Sequence, residues 1–159
     1  MLTATKGGKI NISEESDAKS VAEKFSKLVK QGDFILLSGN LGVGKTTFIK
    51  YLINSLQKAN NQNISEVTSP TFTVLNEYQI KKKLIKHYDL YRIKNKKELN
   101  NLGIQENLKN QITLVEWPEI VKKIKIKNSI NLIFEYKKNY TERYLSIISK
   151  NKKFLNEFQ

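Results

Sequence analysis

An α/β fold is predicted, with a central, largely parallel sheet flanked by helices and antiparallel strands added near the C-terminus. Three features of the 159-residue sequence point to it. Apolar residues at 18, 21, 22, 25, 28 and 29 repeat at the spacing of one helix face. The unbroken apolar run Phe34 to Leu37 leads directly into Gly39-Asn40-Leu41-Gly42-Val43-Gly44-Lys45-Thr46. A second, largely apolar stretch, Ile112-Thr113-Leu114-Val115, ends in the acid Glu116. Short continuous apolar runs are the pattern of strands covered on both faces.

In chain order, Ser13 or Ser16 is placed to cap the first helix, which runs to about Lys30 before Gly32 ends it. After the glycine-rich loop, Phe48, Leu52 and Leu56 define a second helix from Thr46, closed by the polar loop KANNQN. Thr73 to Ile80 and Leu84 to Tyr88 read as strands joined by a turn at Lys81 to Lys83. KNKKELNNLGIQENL suits short helices, and a Lys-rich helix or loop follows Trp117 and Pro118. Ile130 to Tyr136 and Tyr144 to Ile148 form the last strand pair. With no repeat or linker, residues 1–159 are expected to form a single domain.

Composition excludes several chemistries. There is no cysteine, hence no disulfide, thiolate catalysis or Cys-ligated metal, and a single His rules out a His-based metal cage. Apolar runs of about four residues are far short of the roughly 20 that span a bilayer, and the opening MLTATKGGKINIS has no apolar signal core. A soluble, cytoplasmic protein without membrane contact is expected. The net charge of +13 would ordinarily indicate a polyanionic partner. All but two of the 28 cations are Lys, however, and Lys, Asn and Ile share A/T-rich codons, so a genomic origin fits as well. Residues 1–78 carry 9 Lys against 7 acids, whereas 79–159 carry 19 cations against 8 acids, an asymmetry that codon usage alone does not explain.

The chemistry centres on Gly39 to Thr46, a full match to GxxxxGK[ST] between a strand and a helix. Glycines let successive backbone N–H groups face phosphate oxygens, and the helix start adds its positive end. Lys45 is suited to β- and γ-phosphates and Thr46 to Mg²⁺. Two acids could complete the site: Glu116, at the end of a buried strand, and Asp89, the only Asp downstream of the loop. No Asp begins a DxxG, and Asn95-Lys96-Lys97-Glu98 lacks the final Asp of a guanine reader, so ATP is favoured over GTP. Two Arg are few for a metabolite kinase.

Together GNLGVGKTTF, Ser69-Pro70-Thr71-Phe72, Glu77-Tyr78, His87-Tyr88-Asp89-Leu90-Tyr91-Arg92, Leu102-Gly103 and Val115-Glu116-Trp117-Pro118 closely resemble the TsaE (YjeE) family. That family is the bacterial ATPase component of the machinery that makes N6-threonylcarbamoyladenosine (t6A) in tRNA. The resemblance covers roughly residues 12–148. It implies a P-loop NTPase-like sheet, ATP and Mg²⁺ as ligands, and TsaB and TsaD as partners, with tRNA reached through the complex. It also implies that Gly39, Leu41, Gly42, Val43, Gly44, Lys45, Thr46, Thr47 and Arg143 bind nucleotide and that Thr46 and Glu116 hold the metal. Lys45, Asp89 and Glu116 would be catalytic, with Asp89 orienting water or supporting the metal. Ser69, Pro70, Thr71 and Phe72 look like the family's switch-like loop; His87, Tyr91, Arg92 and Trp117 would support the site or a partner. His87 also reads as a structural histidine. Ile104 to Asn107 departs from the more acidic and aromatic family segment, which bears on a partner contact there. Two alternatives remain open: a small metabolite kinase, and a tRNA-binding accessory with structural nucleotide.

Overall fold

The computed structural model describes residues 8–124 and 126–158; the first seven residues, which begin the segment searched for a signal core, lie outside them. Seven strands form one sheet among the described residues: β1 (Ile10–Asn11), β2 (Phe34–Ser38), β3 (Leu75–Ile80), β4 (Lys83–Asp89), β5 (Gln111–Glu116), β6 (Ile130–Lys137) and β7 (Glu142–Ile148), in the order β1-β7-β6-β2-β5-β4-β3. The four central strands are parallel, β2 pairing with β5 and β6, and β4 with β5. The antiparallel strands close both edges, with β3 beside β4 on one side and β7 and β1 beyond β6 on the other. The expectation of antiparallel strands near the C-terminus therefore holds for the β6–β7 pair. β6 belongs to the parallel core, and β1 and β3 were not foreseen as edges. What the sequence did not show is that β6, besides its expected antiparallel pairing with β7, also pairs parallel with β2, because strand pairing is a long-range choice that an alternating segment does not record.

Helix α1 (Glu15–Leu28) buries Val21, Ala22 and Phe25, with acids in its first turn and Lys27 in its last, matching the helix dipole. Neither Ser13 nor Ser16 caps it: the residue before the helix is Glu14, with no side-chain cap. Ser13 is engaged elsewhere, its Oγ accepting the backbone N–H of Arg143 at 3.0 Å and donating to Asn11 at 2.7 Å, so a sheet contact replaces the local cap. Helix α2 (Lys45–Ala59) packs on α1 through edge-on Phe25 and Phe48, 5.7 Å apart. A C-terminal helix α4 (Lys152–Glu157) sets Phe154 4.9 Å from Phe25.

These helices cover one face, burying Ile35, Leu37, Ile112 and Leu114. On the other face, α3 (Lys96–Asn101) and the irregular segments around it bury Phe34, Leu36, Tyr88 and Val115. Alternate residues of β2 and β5 thus enter two different cores, which is why the apolar run of β2 is unbroken and that of β5 is interrupted only by the buried Thr113. Among the described residues no helix is long and apolar enough to cross a membrane.

Tyr88 is fully buried and its hydroxyl has no partner. Burial pushes its pKa up to about 12, and a hydrogen bond to Glu15 does the same for Tyr51, which ties α2 to α1. A raised folded-state pKa gives stability that is complete below the ordinary tyrosine value of 10.0 and is lost as pH rises towards about 12. Urea titrations are expected to show this loss, smaller in Tyr88→Phe. Removing the orphan hydroxyl should also raise the unfolding free energy near neutral pH by about 1 kcal/mol.

Candidate active site

Register brings the chemistry together. Leu37 of β2 and Asp89 of β4 both stand opposite Glu116 of β5, so three parallel strands end level. The chain leaves β2 through the glycine loop and enters α2 at Lys45. Gly39 has φ +146°, and a Cβ there would lie 2.6 Å from the Phe134 carbonyl oxygen on β6. The loop is thus pressed against the neighbouring strand. Gly44, at φ +109°, precedes α2, and no side chain caps the helix start. Its first-turn N–H groups therefore face the loop, where an anion would bind.

Glu116 is the hub. Its Oε1 accepts the Thr46 hydroxyl at 2.8 Å and stands 2.8 Å from His87 Nε2; its Oε2 lies 3.0 Å from the same hydroxyl. A carboxylate accepts, so His87 presents Nε2–H, leaving its Nδ1 buried without a partner. The histidine is therefore both structural, being fully buried, and part of the site. Lys45 is also buried and donates to the Gly39 and Asn40 carbonyls at 2.6 and 3.0 Å. Its ammonium sits 3.9 Å from the centroid of the Trp117 ring. Burial lowers the Lys45 pKa, while Glu116, Asp89 and Glu119 oppose that shift.

Asp89 is organised separately. Its Oδ2 accepts the hydroxyls of Ser69 at 3.1 Å and Thr71 at 2.8 Å, and its Oδ1 accepts the Tyr91 N–H at 3.0 Å. The SPTF loop is thus latched to this acid, with Pro70 buried and its carbonyl accepting Val74 N–H at 2.6 Å. Two side chains here occupy the left-handed region: Val74 at φ +66° and Trp117 at φ +55°. For bulky and β-branched residues that is strain of order 1–3 kcal/mol, a pattern found at functional sites. Trp117 is half-buried, packs 4.9 Å from Tyr91, and is not a core residue.

A cavity of about 230 Å³ lies between loop and acids, lined by Leu41, Gly42, Gly44, Lys45, Thr46 and Thr47 on one side and Ser69, Thr71, Asp89, Tyr91, Glu116 and Trp117 on the other. Val43 is buried behind the loop and reaches a second cavity of about 200 Å³, shared with Thr47, Gly44 and Arg143. Arg92 and Phe72 stand outside both cavities, the guanidinium 4.4 Å from the Phe72 ring centroid. Ile12, Glu15 and Ala18 also line the second cavity and were not anticipated, since nothing local marks residues brought in by α1 packing. Glu119 was missed too, although it follows Trp117 and Pro118 directly.

The fold and site define a mixed α/β protein whose GxxxxGKT loop meets two buried acids at the carboxyl ends of parallel strands. Comparison with known proteins makes this specific. The family model described as "Threonylcarbamoyl adenosine biosynthesis protein TsaE" matches residues 12–145, and the chain belongs to that family. The tRNA threonylcarbamoyladenosine biosynthesis protein TsaE of Rickettsia conorii is 35% identical over 141 residues, covering 89% of this chain and 78% of its own length. Its namesake from Aquifex aeolicus is 37% identical over 127 residues, covering 80% and 89%. The crystal structure of Bacillus subtilis YdiB superposes with a TM-score of 0.75 at 22% identity, covering 99% of this chain and 94% of that one, and so shares the fold.

The two glycines separate packing from conformation. Gly39→Ala is expected to cost at least about 2 kcal/mol, because the methyl meets the Phe134 backbone. A Cβ at Gly44 meets nothing within 4 Å, so Gly44→Ala should cost about 1 kcal/mol, from its φ alone. Chemical denaturation of both variants checks the order; equal losses would mean the loop is not pressed on β6.

Proposed function

We propose that this chain is the ATP-binding and ATP-hydrolysing component of the t6A machinery. It would act in the cytoplasm with TsaB and TsaD homologues to support threonylcarbamoyl transfer to the adenosine next to the anticodon. The observation that carries the ATP reading is the Thr46 hydroxyl 2.8 Å from the Glu116 carboxylate, beside the glycine loop and the buried Lys45. In this reading the sheet is a P-loop NTPase-like one.

The donor set suits Mg²⁺, which takes oxygen ligands and is usually held by one or two carboxylates together with phosphates. Thr46 and Glu116 would hold it. When bound, the ion neutralises charge on phosphate oxygens. Lys45 and the backbone N–H groups of Gly42 to Thr47 hold the triphosphate in this reading, and the second cavity with Arg143 takes the nucleoside end. His87 fixes the Glu116 carboxylate, and Trp117 shields Lys45 from water. Asp89 is assigned to orienting the attacking water: among the described residues no hydrogen bond joins it to Thr46, and its Oδ2 accepts from Ser69 and Thr71 of the SPTF loop. Movement of that loop would free Oδ2 for water.

A metabolite kinase would bring arginines to the transferred phosphoryl group. Here Arg92 stacks on Phe72 and Arg143 lies 5.8 Å from the Tyr136 ring centroid, so neither joins Lys45 in the main cavity. Water is the favoured acceptor. In this reading the transfer chemistry belongs to TsaD, and the ATP cycle resets the assembly between turnovers.

The purified chain is expected to hydrolyse ATP slowly alone and at an altered rate with TsaB and TsaD. Lys45→Ala and Glu116→Ala should each lose at least about 100-fold in hydrolysis while keeping a folded circular dichroism spectrum. Activity retained in either variant would place the site elsewhere. Multiple-turnover t6A synthesis without this chain would refute the role, as would transfer of labelled γ-phosphate to a metabolite.

A further inference from the structure

The lysines scattered through the sequence are gathered by strand order. Segments 30–33, 81–83, 109–111, 127–130 and 148–153 all lie at the amino ends of the parallel strands, opposite the glycine loop. Their proximity is explicit. The Gln31 side-chain amide donates to the carbonyls of Lys82 at 3.1 Å and Asn110 at 3.2 Å. A cleft of about 410 Å³ joins residues 30–33 to Asn128 and residues 149–151, and a second of about 480 Å³ joins residues 126–129 to 148–150.

Together these segments contain nine Lys and one acid, Asp33. Eight of the nine lysines are exposed, and among the described residues none is in an ion pair. Asp33 is partly shielded and accepts the Lys30 backbone N–H at 2.8 Å. Along the edge Lys150, Lys127, Lys30, Lys109 and Lys82 follow the order β7, β6, β2, β5, β4. Five strand ends at about 4.8 Å spacing make a row about 19 Å long. That length accommodates about six successive phosphates of one duplex strand, at about 3.4 Å each.

We infer that this basal edge binds the phosphate backbone of a structured RNA, away from the nucleotide site. Its chemistry selects that partner. The strongly exposed large apolar residues Leu41, Ile64, Phe72, Tyr91 and Tyr140 all lie in other segments, so the edge lacks the apolar centre of a protein interface and the wedge of a membrane-inserting one. Both arginines also lie in other segments, which leaves Lys point charges that position a backbone without reading its sequence. The choice of RNA over DNA rests on the t6A reading.

The test measures binding of the full chain to a fluorescent tRNA transcript between about 50 and about 200 mM KCl. Wild type is compared with the triple variant Lys30→Gln, Lys127→Gln, Lys150→Gln. The control, Lys19→Gln, Lys24→Gln, Lys50→Gln, removes the same charge from exposed helix positions. The edge variant is expected to lose roughly tenfold or more in affinity and about 0.9 in salt slope for each phosphate contact removed, with the control slope unchanged. Equal effects of the two triples would overturn the inference, as would displacement of RNA by polyglutamate or equal binding to phosphatidylserine vesicles. ATP binding is read on the same samples. Normal ATP binding with no edge effect refutes the basal site alone, whereas absent ATP binding in wild type refutes the nucleotide reading whatever the RNA result.

Discussion

The site depends on three parallel strands ending at one height. Because β2, β5 and β4 are adjacent and in register, Glu116 faces the glycine loop on one side and Asp89 on the other. Thr46 then ties the first turn of α2 to β5, and His87 ties β4 to the same carboxylate. A charge-assisted hydrogen bond of this kind contributes about 1.5–3 kcal/mol, and here two of them converge on one buried group. The same contacts that close the sheet therefore position the chemistry, so a shift of one residue in β4 or β5 would turn these side chains to the wrong face.

The two acids have different surroundings. Glu116 is held by rigid elements, a helix start and a strand, whereas Asp89 is held by the hydroxyls of a loop whose next turn contains a left-handed valine. Strained Trp117 lines the cavity, and strained Val74 follows the loop whose Ser69 and Thr71 line it. Such violations of local preference persist where the surrounding structure overrides them, and they concentrate where geometry matters more than stability. Under the proposed function this division separates a fixed metal-side acid from one governed by a movable loop.

Much of this was legible in the sequence because it is local. Phe34 to Thr46 encodes strand, loop and helix start within 13 residues, and Ile112 to Glu116 encodes a buried strand that delivers an acid. What could not be read depends on distant partners. Ser13 lost its capping role to Arg143, and α4 acquires its meaning only from Phe25. The parallel pairing of β6 with β2 required the whole strand order. The basal lysines follow the same rule: as a net charge they were ambiguous with codon usage, and only the topology turns residues 30, 82, 109, 127 and 150 into one edge. Cavity residues Ile12 and Ala18 are likewise invisible until α1 packs beside the loop.

The central claim is that Thr46 and Glu116 form the metal side of an ATP site whose water side is Asp89. Its most direct test is a crystal structure of this chain with a non-hydrolysable ATP analogue, Mg²⁺ and the TsaB–TsaD heterodimer. The account predicts Thr46 Oγ and the Glu116 carboxylate around one ion, with Asp89 facing the γ-phosphate and released from Ser69 and Thr71. An ion held without Glu116, or a triphosphate bound away from Lys45, would contradict it.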